Sequence, residues 1–89
     1  MYRESQQPRI LRRLKFLRKN WKLCKNAFKL FKGESNCHHS DWKTEHGRKL
    51  VERAKKKIGY SNSTANCDIY WSLYGLYRWV KDSGLNNTW

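Results

Sequence analysis

Seven apolar residues, Ile10, Leu14, Leu17, Trp21, Cys24, Phe28 and Phe31, recur at alternating steps of four and three. That spacing holds side chains on one side of an α-helix for about six turns, whereas a strand would need alternation at every second residue. Leu11, Phe16, Leu23, Ala27 and Leu30 widen the seam beyond the strip a two-stranded coil uses, toward the broader face of a bundle helix. Pro8 suits a first turn and Gly33 suits the left-handed position beyond a helix end, so the pattern predicts one long helix over residues 8–32.

Two further helices follow from the same reasoning. Residues 34–40 are polar and read as a connection, with Ser40 or Asp41 as the expected cap of a second helix over residues 41–58. Its inner stripe is expected to be Trp42, His46, Leu50, Ala54 and Ile58, with Val51 beside them, and Gly59 stops it. The turn-rich run from Tyr60 to Thr64 separates it from a third helix over residues 64–82, capped by Ser63 or Thr64 and ended by Gly84. Ile69, Tyr70, Trp71, Leu73, Tyr74, Leu76, Tyr77, Trp79 and Val80 leave that helix apolar nearly all round, which predicts burial by its neighbours. A strand over Ile69–Tyr74 has β-propensity behind it, but the length of the run without a turn signal favours helix. The expected fold is therefore all-α, a small three-helix bundle with a long basic N-terminal helix, in a single domain over residues 1–89.

Charge is concentrated at one end. Residues 1–33 hold eleven of the twenty Lys/Arg and a single acid, Glu4, whereas residues 60–89 balance two basic against two acidic side chains. The whole chain carries +13. A surface that only needed solubility would mix both signs, so a nearly acid-free helix selects for polyanions, whose condensed counterions it displaces. The expected anion-binding residues are Arg9, Arg12, Arg13, Lys15, Arg18, Lys19, Lys22, Lys25, Lys29 and Lys32, joined by Arg48, Arg53, Lys55, Lys56 and Lys57 of the second helix. Nucleic acid is the most common such partner, and binding would be led by phosphates with weak sequence selectivity, since no helix presents base-reading side chains.

Two other partner classes fit the same surface. An acidic face of another protein, as met by small accessory or inhibitor proteins of phage or viral origin, would be gripped by a few aromatic anchors, with Trp21 and Trp42 as candidates. An anionic membrane surface would take Trp21, Phe28 and Phe31, and ranks third because the third helix is expected to consume that face. A second copy docking along the first helix would also satisfy the seam. The tyrosines and tryptophans of the third helix are expected to be core rather than a base-stacking platform, because their helix carries almost no positive charge.

Chemistry is not expected. Cys24, Cys37, His38, His39, His46 and Cys67 include zinc-ligand types, but none has the short paired spacing of a zinc signature, so neither a metal nor another cofactor is expected. The stretch from Leu50 to Ala54, with Ile58-Gly59 and Cys67-Asp68, resembles the approach to the nucleophile helix of NlpC/P60-type cell-wall peptidases. That resemblance implies Cys67 as a nucleophile, with a histidine and strands downstream. The chain lacks the small residues that follow such a cysteine and the length those strands need, so the expectation is a binding protein and not an enzyme. An odd number of cysteines with no secretory segment ahead of them points to the cytoplasm.

Overall fold

A computed structural model describes residues 7–29 and 41–89. Four α-helices form it: α1 (Gln7–Lys19), α2 (Trp21–Lys29), α3 (Glu45–Ile58) and α4 (Asn66–Ser83), with single 3-10 turns at Asp41–Lys43 and Leu85–Thr88. No strand occurs among the described residues. The radius of gyration is 12.6 Å, close to the roughly 12 Å of a compact chain this long.

The long first helix expected over residues 8–32 is instead two short ones, parted at Asn20. The Asn20 backbone N–H donates to Phe16 O at 2.9 Å, and its side-chain Nδ2 donates to the same carbonyl at 3.1 Å. A side chain that bonds back onto the i−4 carbonyl competes with the helical ladder and bends it, and asparagine is a weak helix former. The ladder then resumes as the Cys24 N–H reaches Asn20 O at 2.9 Å. Leu30, Phe31, Lys32 and Gly33, together with Cys37, His38, His39 and Ser40, lie outside the described residues.

α3 begins later than the sequence pattern implies. Thr44 is its N-cap, and Thr44 Oγ1 accepts the Gly47 N–H at 3.1 Å. Trp42 lies before it, in the 3-10 turn, where it half-buries its ring against the core. Of the expected inner stripe, Leu50, Val51 and Ala54 are buried, joined by Gly47, and Ile58 is half-buried, while His46, expected inside, falls in the first turn and is exposed. Gly59 closes the helix in the left-handed region at φ 82°, where a side chain would be strained.

α4 is capped by Ala65 without a side-chain bond, while Ser63 and Thr64 shape the turn before it: both their backbone N–H groups donate to Ser61. Gly84, at φ 76°, ends it. Ile69, Tyr70, Leu73, Tyr77 and Val80 are buried, but Trp79 remains 47% exposed and Gly75 is open, so the helix is not enclosed on all sides as its composition predicts.

Rings join α2 to α4. Phe28 meets Tyr70, Tyr74 and Tyr77 at centroid distances of 5.1, 5.0 and 4.7 Å. Tyr70 is fully buried, and its hydroxyl donates to Ala27 O at 3.2 Å, which meets the requirement that a buried phenol find a partner. Trp21 stacks on Tyr77 at 4.7 Å and takes Trp89 edge-on at 5.2 Å. Leu17, Cys24 and Leu50 complete the core, and burial pushes the Cys24 thiol up to about 12.

Candidate functional site

With the apolar seam turned inward, the cations of α1 and α2 are turned outward. Arg9, Arg12, Lys15, Arg18, Lys19, Lys22, Lys25 and Lys29 are exposed and Arg13 is half-buried; no acidic residue occurs between Gln7 and Lys29. α2 then packs against α3 on one flank and meets the rings of α4 on the other, so its lysines fall into two different grooves.

The α2–α3 groove, about 420 Å³, is lined by Lys19, Lys22, Lys49 and Arg53, with Asn20, Asn26 and His46 between them. Three helices contribute those four cations, and no carboxylate lines the groove. Arg53 Nη1 donates to Asn20 Oδ1 at 3.2 Å, which fixes one guanidinium at the junction of α1 and α2. Lys49 reaches Glu45 at 3.1 Å along α3. That hydrogen bond, with the nearby positive charge, holds the Glu45 carboxyl below its usual range. Lys49, a basic residue on the outer side of α3 but not among the expected anion-binding residues, belongs to this cluster.

On the other flank, a groove of about 480 Å³ has Lys25 and Lys29 on the α2 wall and Arg78, Lys81 and Asp82 on the α4 wall. Phe28, Tyr74 and Tyr77 form its floor. The Arg78 guanidinium lies 6.0 Å from the Tyr74 ring centroid. Burial raises the Tyr77 hydroxyl above the ordinary tyrosine value. Arg78 and Lys81 are a contribution that sequence reasoning missed, because their helix is neutral taken alone; only the fold sets them opposite α2.

A third groove, about 520 Å³, runs between Arg9, Arg12 and Arg13 of α1 and the turn containing Tyr60, Ser61 and Thr64. Arg13 lies 5.3 Å from the Tyr60 ring centroid, and the Tyr60 hydroxyl is 3.3 Å from that of Ser72. Arg13 Nε is buried without an acceptor among the described residues. Arg48 and Lys55 line a smaller recess of about 200 Å³ with Trp42 and Glu52. Lys56 and Lys57 are exposed on the last turn of α3. The sequence-predicted cations thus spread over several faces, with Lys15 and Arg18 on the outer side of α1.

Trp21, a candidate anchor, has its ring engaged by Tyr77 and Trp89. Trp42 is half-buried beside Lys43, and its Nε1 has no acceptor among the described residues. Cys24 is enclosed, and Cys67 is half-buried with its Sγ 4.0 Å from an Asp68 carboxylate oxygen. No group of three metal-ligating side chains occurs among the described residues, and none of the described helices is long and apolar enough to cross a membrane.

No protein-family model, curated protein or solved structure matches this chain.

Proposed function

We propose that this protein is a small binding module that docks on nucleic acid through the phosphate backbone, with weak sequence selectivity and without chemistry of its own. The observation that supports it best is the α2–α3 groove, in which four cations from three helices converge with no carboxylate in the lining. Lys49 is paired with Glu45 along α3, which leaves Lys19, Lys22 and Arg53 as like charges that repel one another until an anion neutralises them, and a polyanion does so with an entropic gain from released counterions. The acidic-protein alternative would need desolvated aromatic anchors, and both Trp21 and Trp42 are engaged within the fold. The proposed setting is the cytoplasm, where free thiols such as Cys24 and Cys67 persist.

The test is fluorescence anisotropy with labelled single-stranded RNA and double-stranded DNA at about 50 and 200 mM salt, over which several phosphate contacts cost on the order of 10³-fold in affinity. A tight low-salt complex that weakens steeply is expected. Absence of binding at low salt would overturn the reading and direct attention to an acidic protein partner.

A further inference from the structure

We propose that the groove between α2 and α4 takes an unpaired base of a single-stranded nucleic acid, stacked against Tyr74, while the flanking phosphates meet Lys25, Lys29, Arg78 and Lys81. The inference rests on the nucleic-acid reading above and narrows it from polyanions in general to single strands.

Two features distinguish this groove from the other basic ones. Its floor is built of three phenyl and phenol rings, with Tyr74 half-buried beside Phe28 and Tyr77, whereas the α2–α3 groove offers Leu23, two asparagines and the single imidazole of His46 between its cations. The one ring of the third groove, Tyr60, carries the half-buried Arg13 guanidinium, whereas the guanidinium over Tyr74, that of Arg78, is exposed. At about 480 Å³ the α2–α4 groove, like the other two, falls in the range of small-ligand pockets, roughly 300–1,000 Å³, so a single nucleotide fits.

The walls supply the electrostatics. Positive side chains stand on both sides of the aromatic floor, the arrangement that single-strand binders use to track a backbone while bases stack on rings. Arg78 is exposed, and its guanidinium lies 6.0 Å from the Tyr74 centroid. Sandwiching a base between two stacked layers needs about 7 Å, twice a contact separation of about 3.5 Å. A small outward swing of the Arg78 side chain therefore opens a slot with a ring on one side and a planar cation on the other. Asp82 is the one carboxylate in the lining, which leaves four cations against one acid around the groove.

The test compares Tyr74→Leu, Tyr74→Phe and Arg78→Ala with the unaltered protein, using a labelled oligouridylate single strand and a DNA hairpin duplex at fixed salt. Tyr74→Leu is expected to weaken single-strand binding about tenfold or more while leaving its salt slope unchanged, since stacking releases no counterions. Tyr74→Phe keeps the ring and is expected to bind like the unaltered protein. Arg78→Ala, at an exposed position that leaves the core intact, is expected to weaken single-strand binding more than duplex binding. Photocrosslinking of a 4-thiouridine strand should mark the peptide containing Tyr74, a readout independent of any fold change in the leucine variant. Equal losses for strand and duplex, or crosslinks confined to α1 and α3, would overturn the inference and leave the polyanion reading standing. If the unaltered protein binds neither polymer, both fail together.

Discussion

The Arg53 guanidinium donates a 3.2 Å hydrogen bond to the side-chain oxygen of Asn20, across 33 residues of sequence. The same Asn20 side chain donates through its nitrogen to Phe16 O. One amide thus interrupts a helix and receives a cation from the neighbouring helix. Replacing Asn20 by Ala should favour a continuous α1–α2 helix through the better propensity of alanine, while losing one half-buried and one exposed hydrogen bond. We expect a net destabilisation below about 1 kcal/mol in urea unfolding. A loss above about 2 kcal/mol would show that the amide sets how α1 and α2 pack on α3.

The Tyr70 hydroxyl carries a different weight, because it is fully enclosed where it donates to Ala27 O. Tyr70→Phe keeps the ring contacts with Phe28 and removes only the donor, so a cost of about 1–2 kcal/mol is expected. Thermal or urea denaturation of the purified variant measures it, and an unchanged midpoint would mean that the carbonyl finds another donor.

Cys24 should make the fold sensitive to alkali. Its thiol has a reference value of 9.0 and is raised to about 12 by burial, so the folded state holds a proton that the unfolded state releases. The stabilisation is complete below pH 9 and is lost as pH rises from 9 toward 12, with a limiting slope of about 1.4 kcal/mol per pH unit. Tyr77, raised by burial as well, adds a loss of the same sign above its usual value. Urea unfolding at pH 8 and pH 10.5 should show the decline, and Cys24→Ala should flatten it. The same burial predicts that Cys24 resists thiol reagents in the folded protein.

Lys22 and Arg53 enter the α2–α3 groove from opposite walls. Changing both to Gln should reduce the slope of log affinity against log salt for duplex DNA by about two contacts, roughly 1.8 units. Anisotropy titrations over a salt series read this directly, and an unaltered slope would remove this groove from the binding surface.

Part of this architecture is written plainly in the chain. The burial of Leu17, Cys24 and Phe28 follows from their four-three spacing, and Gly59 and Gly84 occupy the left-handed stops that their positions imply. The break at Asn20 is harder to read, because its signal is a single asparagine in a strong helical pattern and its Arg53 partner is set by tertiary packing. The displaced start of α3 has a similar cause: Trp42 has helical spacing with Leu50, yet its ring reaches the core from a turn. The basic character of α1 and α2 is evident from composition. The pairing of Lys25 and Lys29 with Arg78 and Lys81 is not, since it depends on rings of two helices meeting between them.

The absence of any acid between Gln7 and Lys29 also bears on folding itself. Arg9 with Arg13, Lys15 with Lys19 and Lys25 with Lys29 are four-residue neighbours of one sign within one helix, each pair opposing it by about 0.2–0.5 kcal/mol. The first two helices are thus formed against an internal pressure that counterions relieve. Added salt should raise the melting temperature of the free protein while it weakens the grip on a polyanion, so stability and affinity respond to ionic strength in opposite directions.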